Sequence, residues 1–138
     1  MSQVIYGMGE KNDPWLLKTP PGNSEFRVWK EFEASPPRLV VQVGSTQLSY
    51  QLRSIEDCLA MLKSNGAWVP LGNVDEGKPC PEGSIEAWAR DEGNPVGGYY
   101  GLRKGYRGRF ANYVTPVMEI LGLIELEHNP RNNRARAL

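Results

Sequence analysis

Residues 97–110 combine three residue types that together could bind a nucleic acid. The segment contains five glycines, four aromatic side chains and four cations. Cations neutralise phosphates, aromatic faces stack on unpaired bases, and glycine lets a ligand approach the backbone closely. The segment therefore predicts a single-stranded or RNA ligand, with an ordinary packed loop as the alternative. The predicted phosphate contacts are Arg103, Lys104, Arg107 and Arg109, and the predicted stacking residues are Tyr99, Tyr100 and Tyr106.

Named phosphate-binding and RNA-binding motifs fit this segment incompletely. A Walker A loop ends in Gly-Lys-Ser/Thr, whereas Lys104 precedes Gly105 here. An RNP1 box would begin as Lys104-Gly105-Tyr106 does, but Arg107 stands where a small residue is expected. Residues 105–108 satisfy the short GxxG pattern of KH domains, which clamp a nucleic-acid backbone. The segment thus indicates a class of ligand without matching a full motif.

A helix and a basic hairpin are predicted to follow this segment. An apolar stripe at helical spacing runs over residues 110–121, although Pro116 also allows a shorter helix that begins at that proline. Gly122 predicts the end of the helix. A strand over residues 123–127 then leads into a turn rich in asparagine and arginine, residues 129–134.

This order of helix, glycine stop and basic hairpin resembles the recognition helix and wing of MarR-type winged-helix regulators. The resemblance extends over residues 107–138 and rests on residues 118–125 and 129–135. It implies a helix that enters the major groove and a wing arginine that reaches the minor groove or the phosphates. Asn112 would then read a base edge through its bidentate amide. The resemblance places Arg131, Arg134 and Arg136 on or near the wing, with Arg131 and Arg134 as the phosphate contacts. As a whole the chain resembles small bacterial proteins of unknown function, and this wider resemblance implies no activity.

The net charge of the 138 residues is zero, but the two ends of the chain carry opposite charges. Residues 1–98 carry a net charge of −4 and residues 99–138 a net charge of +4. A basic C-terminal quarter fits a surface that binds a polyanion, either DNA or RNA. Alternatively, the two parts attract each other within one molecule or between copies. An acidic protein partner or a homo-oligomer therefore stays open.

No group of residues predicts catalysis, a cofactor or a bound metal. His128 is the single histidine, and no cysteine or carboxylate cluster lies near it in the sequence. Cys58 and Cys80 lack the CxxC spacing and are predicted to be free thiols. We therefore expect a non-catalytic nucleic-acid-binding protein. The alternative is a protein-interaction adaptor or a self-associating structural protein.

The scaffold that positions these residues is predicted to be α+β. Fifteen glycines and eleven prolines predict many turns and disfavour a helix bundle. Two β-type runs joined by Gly44-Ser45 predict a hairpin. A helix over residues 54–65, with Ser54 as its N-cap, is expected to pack on the sheet. A second, short helix follows Ser84 as N-cap.

Four segments are predicted from these elements, either as separate parts or within one compact domain. They are an irregular N-terminal arm (1–23), a lobe with a small antiparallel sheet and one packed helix (24–71), a linker (72–83), and a winged-helix-like lobe that ends in a β-hairpin (84–138). Residues 1–14 contain no apolar run typical of a signal peptide, and no stretch is long and apolar enough to span a membrane. We therefore expect a cytoplasmic protein that does not act at a membrane.

Overall fold

A four-stranded antiparallel sheet forms the N-terminal half of the protein. The computed structural model describes residues 7–138. In sheet order the strands are β1 (Trp15–Lys18), β2 (Glu25–Glu31), β3 (Arg38–Val43) and β4 (Thr46–Gln51). The predicted β3–β4 hairpin is confirmed, and Gly44 in its turn has a φ of +59°, which a tight hairpin requires.

Strand β1 corrects the prediction that residues 1–23 form an irregular arm, of which residues 1–6 lie outside the described part of the chain. Trp15 and Leu17 are buried, whereas Leu16 and Lys18 are exposed. This alternation is that of a strand with one buried face, and Trp15 lies opposite Val28 of β2. Four residues are too few for periodicity to separate a strand from an anchored loop, so the pairing with β2 decides the structure.

Helix α1 (Ser54–Asn65) has the predicted bounds, but its first turn differs from the prediction. Arg53 occupies the N-cap position, and Ser54 is the first helical residue. The hydroxyl of Ser54 is buried and has no hydrogen-bond partner among residues 7–138. Gly66 ends the helix with a φ of +72°. Ile55, Cys58 and Leu62 bury one face of α1 in the core.

A second, three-stranded sheet joins the middle of the chain to its C-terminal end. It consists of β5 (Val69–Pro70), β7 (Arg134–Ala137) and β6 (Ile124–Leu126), in that order. The predicted C-terminal hairpin is therefore present as β6–β7, with β7 as the central strand. The hairpin shares its sheet with a strand that precedes the predicted linker.

Helices α2 (Ile85–Arg90) and α3 (Phe110–Ile120) complete the α+β fold. Pro116 lies inside α3, so the longer of the two predicted helices is the one that forms. The first nine of the eleven residues of α3 are buried. The Tyr113 ring packs edge-on against Phe26 of β2 at 5.0 Å between ring centres, and Phe110 packs against Tyr50 of β4 at 5.7 Å. One hydrophobic core therefore extends from the first sheet through α3 to the second sheet.

Candidate nucleic-acid interface

The glycine-rich segment 97–110 folds back on itself and against Glu76. A β-carbon on Gly101 would overlap Arg107, and one on Gly108 would overlap the backbone of Glu76. The Tyr50 hydroxyl also donates a hydrogen bond to the Gly108 carbonyl at 2.8 Å. The space next to the backbone of these two glycines is therefore filled by the protein itself and is not available to a ligand.

Two of the predicted phosphate-binding arginines are paired with carboxylates from the predicted linker, residues 72–83. The Nε of Arg107 lies 2.6 Å from Oε1 of Glu76, and the Nε of Arg109 lies 2.5 Å from Oδ1 of Asp75. The hydrogen bond from Arg109, together with its charge, holds the pKa of Asp75 below its usual value. The charges of these two arginines are thus neutralised within the molecule, by attraction between an acidic and a basic segment.

The three predicted stacking tyrosines have different environments. Tyr100 is 1% exposed, and its hydroxyl donates a hydrogen bond to Asp57 at 2.9 Å. It is a core residue, which corrects its assignment as a stacking residue, because a base cannot reach its ring. The other two are partly exposed beneath guanidinium groups, a cation–π arrangement. The distances to the ring centres are 4.1 Å for Arg107 over Tyr99 and 4.4 Å for Arg103 over Tyr106.

Helix α3 does not expose the face that a recognition helix needs. Asn112 is 5% exposed, so it cannot enter a duplex groove as the sequence predicted. The reason is that α3 is enclosed along its first nine residues and packs against the first sheet, β6 and α2. A base edge could reach Asn112 only from within a cavity.

Glu86 of α2 fixes the start of α3, and sequence reasoning did not identify it. Its carboxylate accepts hydrogen bonds from the backbone N–H groups of Ala111 at 3.0 Å and Phe110 at 3.3 Å. The Nε of Arg90 lies 3.3 Å from the same carboxylate. Burial raises the pKa of Glu86 to about 7. The hydrogen bonds favour the ionised form and therefore act in the opposite direction. Its only sequence signal was the i, i+4 spacing to Arg90.

The turn end of the β6–β7 hairpin holds one arginine that is paired with a carboxylate and one that has no such partner among residues 7–138. Arg134 binds Glu127 through two hydrogen bonds of 2.8 and 2.9 Å. The side chain of Asn133 fixes the turn, because it accepts the N–H of Asn129 and donates to the carbonyl of the same residue. Arg131, at the tip, is exposed.

Three of the predicted cations are exposed without an acidic partner. Across residues 7–138, no carboxylate lies within 4.0 Å of Arg103, Lys104 or Arg131. Uncompensated, hydrated cations of this kind are available to a polyanion. The available basic surface is therefore smaller than the composition of residues 99–138 suggested.

A cavity of about 620 Å³ brings together Asn112, Arg131 and Arg134. It is bounded by the β6–β7 turn, by the segment that follows β5, and by Pro20 and Pro21 in the turn between β1 and β2. The other seven predicted site residues, all in segment 97–110, are not part of its lining. The sequence predicted the three cavity residues but could not place them around one cavity, because the cavity is formed by segments that are distant in sequence.

His128 connects two of the parts around this cavity. Its Nδ1 lies 2.9 Å from the carbonyl oxygen of Pro20, and its Nε2 lies 2.6 Å from a carboxylate oxygen of Glu119. Both partners only accept hydrogen bonds, so the imidazolium form, with a proton on each nitrogen, satisfies both. Burial lowers the pKa of His128, but the hydrogen bonds to Glu119 and Pro20 outweigh it and raise the pKa above the usual value. His128 therefore links the turn between β1 and β2 to helix α3.

Metal ligands, a buried thiol and helix length describe the rest of residues 7–138. Within residues 7–138, no three His, Cys, Asp or Glu side chains are grouped so that they could hold a metal ion. Cys58 is buried, and burial raises the pKa of its thiol to about 12. No helix in the same range is long and apolar enough to cross a bilayer.

Comparison with known proteins identifies the family of this chain. Residues 7–138 match DUF6855, which is described as a family of unknown function. No curated protein and no solved structure matches the chain. Since the family match covers nearly the whole sequence, the chain belongs to DUF6855.

Proposed function

We propose that this protein binds single-stranded nucleic acid and catalyses no reaction on it. The observation that carries the proposal is the exposure of Arg103, Lys104 and Arg131 without carboxylate partners among the described residues. Cations in this state release counterions when they bind phosphates, which is the main source of affinity for nucleic acids.

Arg103 and Lys104 form one group of exposed cations, and Arg131 on the β6–β7 turn is the other. Both groups lie beside the same short segment of chain, residues 73–76. Asn73 lines the cavity together with Arg131. Glu76 accepts a hydrogen bond from the N–H of Gly105, the residue after Lys104. The Cα atoms of Asn73 and Glu76 are three residues apart and hence separated by no more than about 11 Å. A strand of a few nucleotides could therefore contact both groups of cations.

The shape of the protein favours a single strand over a duplex. Major-groove readers insert an exposed helix or a pair of strands. The first nine residues of α3 are buried, which leaves no such face on the helix that the resemblance assigns to the groove. In this proposal the β6–β7 hairpin takes the part of a wing, with Arg131 on phosphate, and the partly exposed Tyr99 and Tyr106 offer ring edges to unpaired bases.

Fluorescence anisotropy with labelled single-stranded DNA, single-stranded RNA and duplex DNA over a salt series tests the proposal. Affinity for the single strands should fall steeply with the logarithm of salt concentration. The double variant Arg103→Ala/Lys104→Ala should reduce that slope by about 1.4, since each phosphate contact on a single strand contributes about 0.7. The matched control is Arg27→Ala/Lys63→Ala, which removes two exposed positive charges elsewhere and should leave the slope unchanged.

Three results would contradict the proposal. Absence of binding to single strands at low salt overturns the function, and tighter binding to duplex DNA overturns the preference for single strands. Equal slopes for the two double variants would show that Arg103 and Lys104 are not the contact surface. Sedimentation at several protein concentrations tests the alternative, because a self-associating protein without affinity for polyanions would form a concentration-dependent oligomer.

A further inference from the structure

We propose that the cavity lined by Asn112 holds one nucleobase of the bound strand, with Arg131 on the phosphate attached to it. This inference rests on the proposed function, because the strand supplies the base. It assigns the cavity a ligand with a flat apolar face, a polar edge and an attached anion.

Asn112 presents a side-chain amide at the wall of the cavity. The residue is 5% exposed and lines the cavity, and no hydrogen bond joins its side-chain amide to another residue among 7–138. Among these residues, the enclosed side-chain polar atom without a partner is the Ser54 hydroxyl, so the Asn112 amide is not enclosed but opens into the cavity. The side-chain amide of Asn112 is thus available to whatever occupies the cavity.

The composition of the cavity wall limits the charge of the ligand. Five prolines, four asparagines and two arginines lie among its fourteen described lining residues, and none of the fourteen is acidic. This wall disfavours a metal ion or any other cation and suits a neutral or anionic ligand. The volume of about 620 Å³ lies within the range of small-molecule sites, which are largely apolar with a few placed polar groups.

The hydrogen-bonding groups of the Asn112 amide match those on the edge of a base. A side-chain amide presents a donor and an acceptor side by side, and asparagine pairs in this way with N6 and N7 of adenine. An unpaired adenine could therefore place its edge on Asn112 and its ring faces against the proline walls. The arrangement makes adenine the first base to test.

The rim of the cavity is fixed before any ligand binds. Both hydrogen bonds of the Asn133 side chain, at 2.6 and 3.0 Å, close the turn that carries Arg131. The Leu71 N–H donates to the Asn133 carbonyl at 3.0 Å and joins this turn to the segment after β5. A preorganised rim reduces the entropy lost on binding.

The test compares ligands that share a phosphate backbone but differ in their bases. Oligo(dA) and an abasic strand of the same length are bound to the wild-type protein and to Asn112→Leu, with Asn65→Leu at the exposed end of α1 as the matched control. Wild type and Asn65→Leu should bind oligo(dA) at least about fivefold more tightly than the abasic strand. Asn112→Leu should bind the two strands almost equally and keep the same salt slope, since its phosphate contacts remain.

A second arm separates a strand-borne base from a free nucleotide. Adenosine monophosphate and ribose 5-phosphate are each titrated into the wild-type protein, and amide chemical shifts are followed by NMR. Chemical-shift changes around Asn112 and Arg131 with adenosine monophosphate, and not with ribose 5-phosphate, support the base site. This holds whether the natural base comes from a strand or from a free nucleotide. Binding of adenosine monophosphate without binding of any strand would overturn the proposed function while supporting the cavity site.

The remaining results decide the inference as well. Equal wild-type affinity for oligo(dA) and the abasic strand overturns the base site and leaves the proposed function intact. If no strand and no nucleotide binds, both proposals are wrong. The comparison in wild-type protein stands even if Asn112→Leu does not fold, and the exposed rim variant Asn132→Ala then provides the second variant, with a smaller expected loss of base preference.

Discussion

The carboxylate of Glu86 caps helix α3 by accepting the N–H of Ala111 at 3.0 Å. The first N–H groups of any helix lack partners within the helix. Arg109, at the N-cap position of α3, has a φ of +63° and offers no side-chain cap. A residue of α2 therefore supplies the cap across the fold and fixes the position of α3, which carries Asn112 into the cavity.

Replacement of Glu86 by alanine should lower the free energy of unfolding by about 3 kcal/mol. The change leaves the N–H groups of Phe110 and Ala111 without their acceptor and removes the carboxylate beside Arg90, whose side chain is 10% exposed. Urea denaturation measures the loss. The control Glu92→Ala removes an exposed carboxylate nearby and should change stability by less than about 0.5 kcal/mol. A loss below about 1 kcal/mol for Glu86→Ala would contradict the capping role.

The same carboxyl group predicts a pH dependence of stability. Burial raises the pKa of Glu86 to about 7 in the folded protein, whereas an unfolded chain releases this proton near about 4.3. Between these values the folded state binds more protons, so its stability falls as pH rises and levels off above pH 7 or so. Glu86→Gln cannot titrate. The difference in unfolding free energy, Glu86→Gln minus wild type, should therefore become more positive between about pH 5 and pH 8, by up to about 3 kcal/mol. A difference independent of pH would exclude the raised pKa.

The helices show which structural features can be read locally from this sequence. The bounds of α1 follow from apolar spacing and the Asn65-Gly66 ending, which are properties of neighbouring residues. The extent of α3 does not, because Pro116 permits two helices and the surrounding structure selects the longer one. That choice depends on contacts such as Tyr113 with Phe26, which are distant in sequence.

The sequence predicted which types of residue form the candidate site, but not which of its cations are paired with carboxylates. Composition located the cations of segment 97–110. However, the partners of Arg107 and Arg109 lie 31 and 34 residues away, so nothing local indicated that these charges are neutralised. The cavity at Asn112 is likewise formed from turns that meet only in the folded protein. Long-range convergence therefore decides which predicted residues remain available to a ligand.

The two helix-start serines should respond differently to alanine. Ser84 caps α2 by accepting the Ala87 N–H at 3.1 Å, so Ser84→Ala should cost about 1 kcal/mol of unfolding free energy. Ser54 is buried inside α1 with no partner for its hydroxyl among the described residues, so Ser54→Ala should leave stability unchanged or raise it. Thermal and urea unfolding of the two variants, each against wild type, provide the measurement. A destabilisation by Ser54→Ala as large as that by Ser84→Ala would show that Ser54 is a cap after all.

His128 should titrate above the usual histidine value of about 6.5. Burial opposes this shift, but the hydrogen bonds to Glu119 and to the Pro20 carbonyl raise its pKa. Because it is the only histidine, one imidazole signal in an NMR pH titration reports it without ambiguity. Glu119→Gln should move the pKa back towards the usual value, whereas Glu125→Gln, which changes a carboxylate paired with Arg136, should not.

The direction of this shift also fixes its effect on the cavity wall. A histidine with a raised pKa in the folded state stabilises the fold fully below about pH 6.5, and this contribution is lost as pH rises through the folded-state pKa. The effect on overall stability should be small, because about half of the His128 side chain is exposed. Since His128 holds Pro20 at the cavity, affinity for oligo(dA) should weaken over that pH range more than affinity for an abasic strand. A wild-type pKa at or below the usual value would remove the basis for both effects.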